Sequence, residues 1–208
     1  KTNCFYASII LLTNGRELFK TKCLTDSKKN TDFNGLGSSH IHHKNKIFLS
    51  IGAPEQGSAK IRVLAQDINS MFGKILEINK MDLDKIVANQ ENNLDLKIFT
   101  IGHRNPQGLT KIGDSFFSVE HGPKGGDELN KIIRDKNYGW PTVSYGTQYL
   151  YDEKGKSYEI NHENNQFEEP LFALVPSVGI SGLNTCPTKL KEFYKKPCLL
   201  ALSLYGNN

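Results

Sequence analysis

Three short segments gather the side chains best suited to binding and chemistry. Ile101–Leu109 (IGHRNPQGL) sets Arg104, Asn105 and Gln107 around Pro106. A planar cation and two amides held by a proline turn form a donor array suited to a flat polyanionic ligand. The plainer reading is a structural turn with solvated polar tips. Val119–Asn130 (VEHGPKGGDELN) offers strained carbonyls at Gly122 and Pro123, two glycines at 125 and 126, and the hard oxygens of Asp127 and Glu128. Such a loop can hold calcium, although the regular acidic ladder of an EF-hand is missing. Lys136–Gly146 (KNYGWPTVSYG) carries the only tryptophan, Trp140, beside Gly139 and Pro141, which reads first as packing, while Tyr138 can offer its backbone oxygen.

These loops need a scaffold, and the apolar period says which. Alternation with period two runs through Phe5–Leu12, Glu17–Lys22, Lys46–Ile51, Gly73–Ile78, Leu96–Ile101, Asp114–Glu120 and Leu199–Leu204, so these segments are expected to be strands. Turn formers such as Thr13-Asn14-Gly15, Lys44-Asn45-Lys46, Gly113-Asp114 and Glu153-Lys154-Gly155 separate them, as in a meandering antiparallel sheet. Helix is scarce: Ala65–Met71 can hold a turn or two, and Met81–Glu91, polar on most faces, reads as a surface loop. HHKNKIFLSIG and LTKIGDSFFSVEHG look like repeats of one hairpin, which makes a propeller the leading architecture among sandwich, barrel and propeller.

Composition narrows the function classes. The 208 residues carry 26 basic and 22 acidic side chains, a net +4, with cations scattered among acids, which disfavours nucleic acid. Only four cations are arginines (Arg16, Arg62, Arg104, Arg134), so each merits attention. No apolar run is long enough to span a bilayer. The spacing of Cys4, Cys23, Cys186 and Cys198 rules out a Cys-x-x-Cys motif. It leaves open either four independent thiols or the short-range pairs Cys4–Cys23 and Cys186–Cys198, which would suit an oxidising compartment.

The order of the motifs carries a resemblance. AQDINSMFGKILEIN, GHRNPQGL, EHGPKGGDELN, KNYGWPTVSYG and VPSVGISGL together closely resemble the soluble quinoprotein glucose dehydrogenase and aldose sugar dehydrogenase family, the glucose/sorbosone dehydrogenases, over residues 35–204. The resemblance implies an all-β, six-bladed β-propeller, pyrroloquinoline quinone (PQQ) over the central axis, and calcium. On that reading residues 1–208 form a partial propeller of three to four blades, truncated at both ends. It further implies hydride transfer from a sugar anomeric carbon to the quinone, with calcium polarising the quinone oxygen and a histidine taking the hydroxyl proton. The implied partners are a sugar substrate and an external electron acceptor, with a homodimer as a further expectation, and the implied location is periplasmic or secreted.

Residue by residue, Arg104 looks like the arginine on the quinone oxygens, with Asn105 and Gln107 as its hydrogen-bonding companions. Gly122 and Pro123 are similar to the pair whose carbonyls hold the catalytic calcium, and Glu128 with the Tyr138 carbonyl resembles a second, structural calcium site. His103 and His121 lie inside matched motifs without being the family's base, and are expected to pack or support. The base is where the chain departs: the ungapped slot holds Asn34, an amide that cannot act as a general base, and Ser38 stands where an arginine belongs. His40 fills the role only if the alignment shifts; alternation puts His40 and His42 on one strand face. After SIG the family continues with aspartate where this chain has Ala53-Pro54-Glu55. Two functions therefore compete: a PQQ-dependent aldose dehydrogenase, and a catalytically inactive propeller serving as a calcium-dependent or protein/carbohydrate binding module.

Overall fold

The structure, a computed structural model, describes residues 4–24, 36–53, 59–88, 94–149 and 156–204. Asn34, Pro54, Glu55 and the turn at 153–155 lie outside the described residues. The rest is antiparallel sheet with little helix, as the period-two pattern requires.

The strands form four sheets in chain order. A hairpin of β1 (Ser8–Leu11) and β2 (Arg16–Lys20) comes first. A four-stranded meander follows: β3 (His40–His43), β4 (Lys46–Ile51), β5 (Lys74–Asn79) and β6 (Leu96–Ile101). The second meander contains β7 (Pro106–Ile112), β8 (Ser115–Glu120), β9 (Asp127–Ile132) and β10 (Phe172–Leu174). The last pair is β11 (Ile180–Thr185) and β12 (Leu199–Ser203). Two complete four-stranded blades thus stand between the strand pairs of two more, and the repeated hairpins of the sequence are β3–β4 and β7–β8, the opening hairpins of successive blades.

Successive blades meet through their first strands. β7 packs against β3 on one side and β11 on the other. The Ser39 hydroxyl accepts the Leu109 N–H at 3.1 Å. The approach to β11 is backbone on backbone: a Cβ at Gly108 would lie 2.5 Å from the Leu183 nitrogen, so only glycine fits there. Between the two full blades Phe48, Ile75 and Phe99 interdigitate with Leu109, Phe116 and Ile132. Leu76 and Ile78, on the opposite face of β5, join Ile51, Phe72 and Leu96 in the core toward β1 and β2. β5 is buried on both faces because a blade inside a stack has no solvent side.

Two sequence expectations need correcting, and one alternative that the sequence left open is decided. Lys80–Val87, expected as loop, is a helix (α2, after the single turn of α1, Ala59–Arg62). The Asn79 side chain caps it by accepting the Met81 N–H at 3.0 Å, and Ile86, with Leu83 beside it, anchors it in the core. The turn expected over Ala65–Met71 instead ends at Ala65, as a 3-10 turn over Val63–Ala65, and a further helix, α3 (Thr188–Tyr194), was not anticipated. The four cysteines are not independent thiols. Cys4–Cys23 and Cys186–Cys198 are disulfides, each beside a strand pairing that already brings the two chains together: Phe5 with Leu24, and Thr185 with Leu199.

Candidate active site

The β6–β7 connection is only Gly102–Asn105, because β7 begins at Pro106. Gly102 has φ 79°, and its N–H is fixed to the Ala65 carbonyl at 3.0 Å. His103 N–H goes to Gly73 O at 3.1 Å, and the Arg104 carbonyl accepts from Ala53 N–H at 2.6 Å. A turn pinned at three consecutive residues to loops of the β4–β5 connection has its backbone fixed.

The buried Lys74 ammonium braces those loops from below. It donates to the carbonyls of Leu64, Ala65 and Phe72, each at 2.8 Å, and burial pushes it down to about 8.

Glu120, the last residue of β8, organises the centre. Its Oε2 accepts the Arg104 N–H at 2.7 Å, and its Oε1 faces His103 Nδ1 at 3.0 Å and Asn130 Nδ2 at 2.9 Å. Burial favours the neutral acid, but the His103 imidazole and the N–H groups of Arg104 and Asn105 outweigh it and hold Glu120 below the usual carboxylate range. His103 has both ring nitrogens engaged, the second by Thr100 Oγ1 at 2.8 Å, and its ring stacks on Tyr138. It is therefore a support, as expected from the sequence.

Arg104 is buried. Its Nη1 donates to the His121 carbonyl at 2.9 Å, and its guanidinium lies 5.3 Å from the Trp140 ring centroid. Trp140 in turn donates its indole N–H to Ala53 O at 2.8 Å. The Asn105 side-chain oxygen accepts the Gly37 N–H at 2.6 Å, and Gln107 Nε2 stands beside Gly37 as well. The structure thus turns Arg104 toward the residue before the Gly122–Pro123 turn, whereas Asn105 and Gln107 face Gly37.

Asp127 ties that turn to the next blade. Its carboxylate accepts from Gly122 N–H at 3.2 Å, Val178 N–H at 3.2 Å and Ile180 N–H at 3.0 Å. Burial acts to raise its carboxyl, yet His121, the Ser177 hydroxyl and the Ile180 N–H bring it down to about 2. Because β9 begins at Asp127, the loop expected over Val119–Asn130 is only six residues long, residues 121–126.

Beneath Arg104, Glu120, Glu128, Tyr138 and Ser144 line a cavity of about 10 Å3, room for one atom rather than a cofactor. Asn130 Nδ2 is shared between Glu120 and Glu128, and Asn130 Oδ1 is buried with no hydrogen-bond partner. Burial and the charge of Glu120 push Glu128 up to about 8. Two enclosed carboxylates, Glu120 and Glu128, present hard oxygens of the kind that suits a single cation. Among the described residues no three His, Cys, Asp or Glu converge on one point, so backbone oxygens would have to complete the shell.

His40 is not at this centre. It lines, with His42, a separate cleft between β1–β2 and the first full blade, the two rings 6.0 Å apart on one face as alternation requires. His43, on the opposite face, pairs with Asp114 at 3.0 Å. The histidine lining the Arg104 cavity is His121, which is partly exposed and 3.8 Å from the Asp127 carboxylate.

The fold and these motifs can be set beside known proteins. The sequence profile of the glucose/sorbosone dehydrogenases matches residues 7–203. The chain belongs to the glucose/sorbosone dehydrogenase family. Aldose sugar dehydrogenase YliI of Escherichia coli is 29% identical over 150 residues, which are 67% of this chain and 37% of that protein. Quinoprotein glucose dehydrogenase B of Acinetobacter calcoaceticus is 37% identical over 83 residues, 38% of this chain and 17% of that protein. The crystal structure of the soluble E. coli aldose sugar dehydrogenase in its apo-form aligns at a TM-score of 0.67 and 26% identity, covering 92% of this chain and 53% of that one. The chain therefore spans about half the length of the E. coli relative. In this glucose/sorbosone dehydrogenase chain, Glu120, Asn130 and Lys74 are the supports that sequence reasoning missed. Only Glu120 had a signal, as a charged residue closing an otherwise apolar alternating strand.

Proposed function

We propose that this chain supplies the cofactor-side blades of a PQQ-dependent sugar dehydrogenase that oxidises aldoses. The observation that carries the reading is the Arg104 guanidinium, held 2.9 Å from the His121 carbonyl and lining one cavity with Gly122. Arg104, Asn105 and Gln107 would bind the cofactor, their planar donors matching its oxygens. The carbonyls of Gly122 and Pro123 would hold one calcium, and Glu128 with the Tyr138 carbonyl a second. When bound, PQQ supplies a two-electron acceptor for the hydride of the sugar C1. Arg104 offsets negative charge in its vicinity, and the Trp140 ring shields the guanidinium from water. His121 lines the same cavity, with Asp127 behind it. The disulfides suit the oxidising conditions of a periplasmic or secreted protein.

The binding-module reading is favoured by one observation: His40 faces the wrong cleft, and His103 is locked between Thr100 and Glu120. Titrating the protein with PQQ and calcium, then following dye reduction by aldoses, separates the two. Binding with turnover supports the dehydrogenase, binding without turnover supports the module, and no binding of PQQ removes the cofactor assignment.

A further inference from the structure

β7 runs from Pro106, beside the candidate site, to Ile112, so its turn into β8 lies at the far end of the blade. There it meets the segment that joins β11 to β12. Together they enclose a cleft of about 550 Å3, ample for a small ligand.

Lys111, Lys191, Lys195 and Lys196 line this cleft, and no carboxylate does. None of the four makes an ion pair with an acid among the described residues. Asp114, next to the cleft in sequence, is turned to His43 and Lys44 at 3.0 Å each, and Glu192 on α3 is not part of the lining. Four like charges around one concavity repel one another, and an anion seated among them is attracted by all four. The frame is fixed beforehand: the Cys186–Cys198 disulfide closes the base of the segment carrying Lys191, Lys195 and Lys196, with Cys186 N–H donating to Cys198 O at 3.0 Å. Holding the cations in place lowers the ordering cost of binding. Lysine without arginine favours the point-charge recognition of phosphate oxygens over planar, bidentate recognition of carboxylates.

We infer that this cleft binds clustered phosphate groups, with Lys111, Lys191, Lys195 and Lys196 as the cationic contacts. The ligand is either a free phosphate ester or a phosphorylated lipid head group. The second source has a structural counterpart in Phe193 and Tyr194, which are 77% and 60% exposed on the same segment with ring centroids 5.1 Å apart, a placement suited to an interface. The inference shares no residue with the candidate active site and stands apart from the PQQ reading.

The test uses calorimetry with inositol hexakisphosphate as the soluble probe. Binding is expected to weaken as salt rises. A Lys195→Gln/Lys196→Gln variant should bind at least tenfold more weakly, while Lys85→Gln/Lys97→Gln, which removes the same charge elsewhere, should stay within twofold. A second arm sediments the protein with phosphatidylcholine vesicles with and without phosphatidylinositol 4,5-bisphosphate. Soluble-probe binding alone supports the site with a free ester as its ligand. Binding to the phosphoinositide vesicles that Phe193→Ser/Tyr194→Ser weakens, with the soluble probe still bound, supports the site with a lipid. Absence of binding in both arms, or equal loss in both lysine pairs, overturns the inference.

Discussion

The Glu120 carboxylate accepts the backbone N–H of Arg104 at 2.7 Å, from a strand that pairs with the one Arg104 leads into. Glu120 therefore sets the direction of the arginine through its main chain, while the guanidinium reaches on to the His121 carbonyl. Glu120→Gln preserves shape but places an amide N–H2 among the N–H groups of His103, Arg104 and Asn130, donor against donor. Hydrogen bonds to a buried charge contribute about 1.5–3 kcal/mol. The variant should keep its circular dichroism spectrum, melt at a lower temperature, and bind PQQ about tenfold or more weakly, as followed by tryptophan fluorescence. Unchanged affinity and unchanged melting together would remove Glu120 from this role.

Arg104→Lys tests the planar fork itself. Lysine keeps the charge but loses the paired donors and the flat face over Trp140, so cofactor affinity and reduction rate should fall together. Lys124→Gln, an exposed charge on the neighbouring turn, should leave both nearly unaltered. Equal effects from the two would mean that general electrostatics, not guanidinium geometry, governs the site.

The sequence and the structure agree most closely where burial is uniform. Lys46–Ile51 and Leu96–Ile101 are strands with the same bounds that alternation indicates, since their apolar residues face the cores between blades. β9 was hidden because Asp127, Glu128 and Asn130 are buried for the site, so its polar residues read as loop. α2 was hidden for a related reason: an asparagine cap and one fully buried isoleucine, Ile86, leave no broad apolar stripe to count. In the candidate site, Arg104, Asn105 and Gln107 stood out by type and spacing. The residues that hold them act through polar contacts that hydrophobic alternation does not encode: Glu120 and Asn130 meet across the β8–β9 pairing, and Lys74 gathers the carbonyls of the chain just before β5.

Gly108 gives a stability test that needs no cofactor. Its missing Cβ would meet the Leu183 nitrogen at 2.5 Å and the Leu183 Cβ at 2.7 Å. The first of these is backbone, so the clash cannot be relieved by a rotamer change and the first strands of two blades must separate. Gly108→Ala should lower the urea midpoint by an amount corresponding to about 2–3 kcal/mol, in the range of overpacking penalties. Gly113→Ala, at an open turn where a Cβ meets nothing within 4 Å, carries only the cost of its positive φ of 58° and should destabilise less.

Lys74 makes a prediction in pH. Burial pushes its ammonium from 10.5 down to about 8 in the folded protein, while in the unfolded chain it keeps its ordinary value. Between those two values the unfolded chain holds the proton and the folded one has released it. Because stability rises with pH wherever the unfolded state binds more protons, this group adds a positive slope between about 8 and 10.5 and none below. Tyr145, raised by burial and by Glu169 to about 12, contributes the opposite sign only as pH nears its unfolded value of 10. Glu128, raised to about 8, also gives a falling slope that fades above that value, so the informative window is pH 8.5 to 9.5. Lys74→Met leaves the carbonyls of Leu64, Ala65 and Phe72 without their donor, so at pH 7 it should be destabilised by a few kcal/mol. Its unfolding free energy, measured in urea at intervals across the window, should lack the wild-type rise. Parallel curves for the two proteins would mean that Lys74 keeps an ordinary pKa and that the three carbonyls do not depend on its charge.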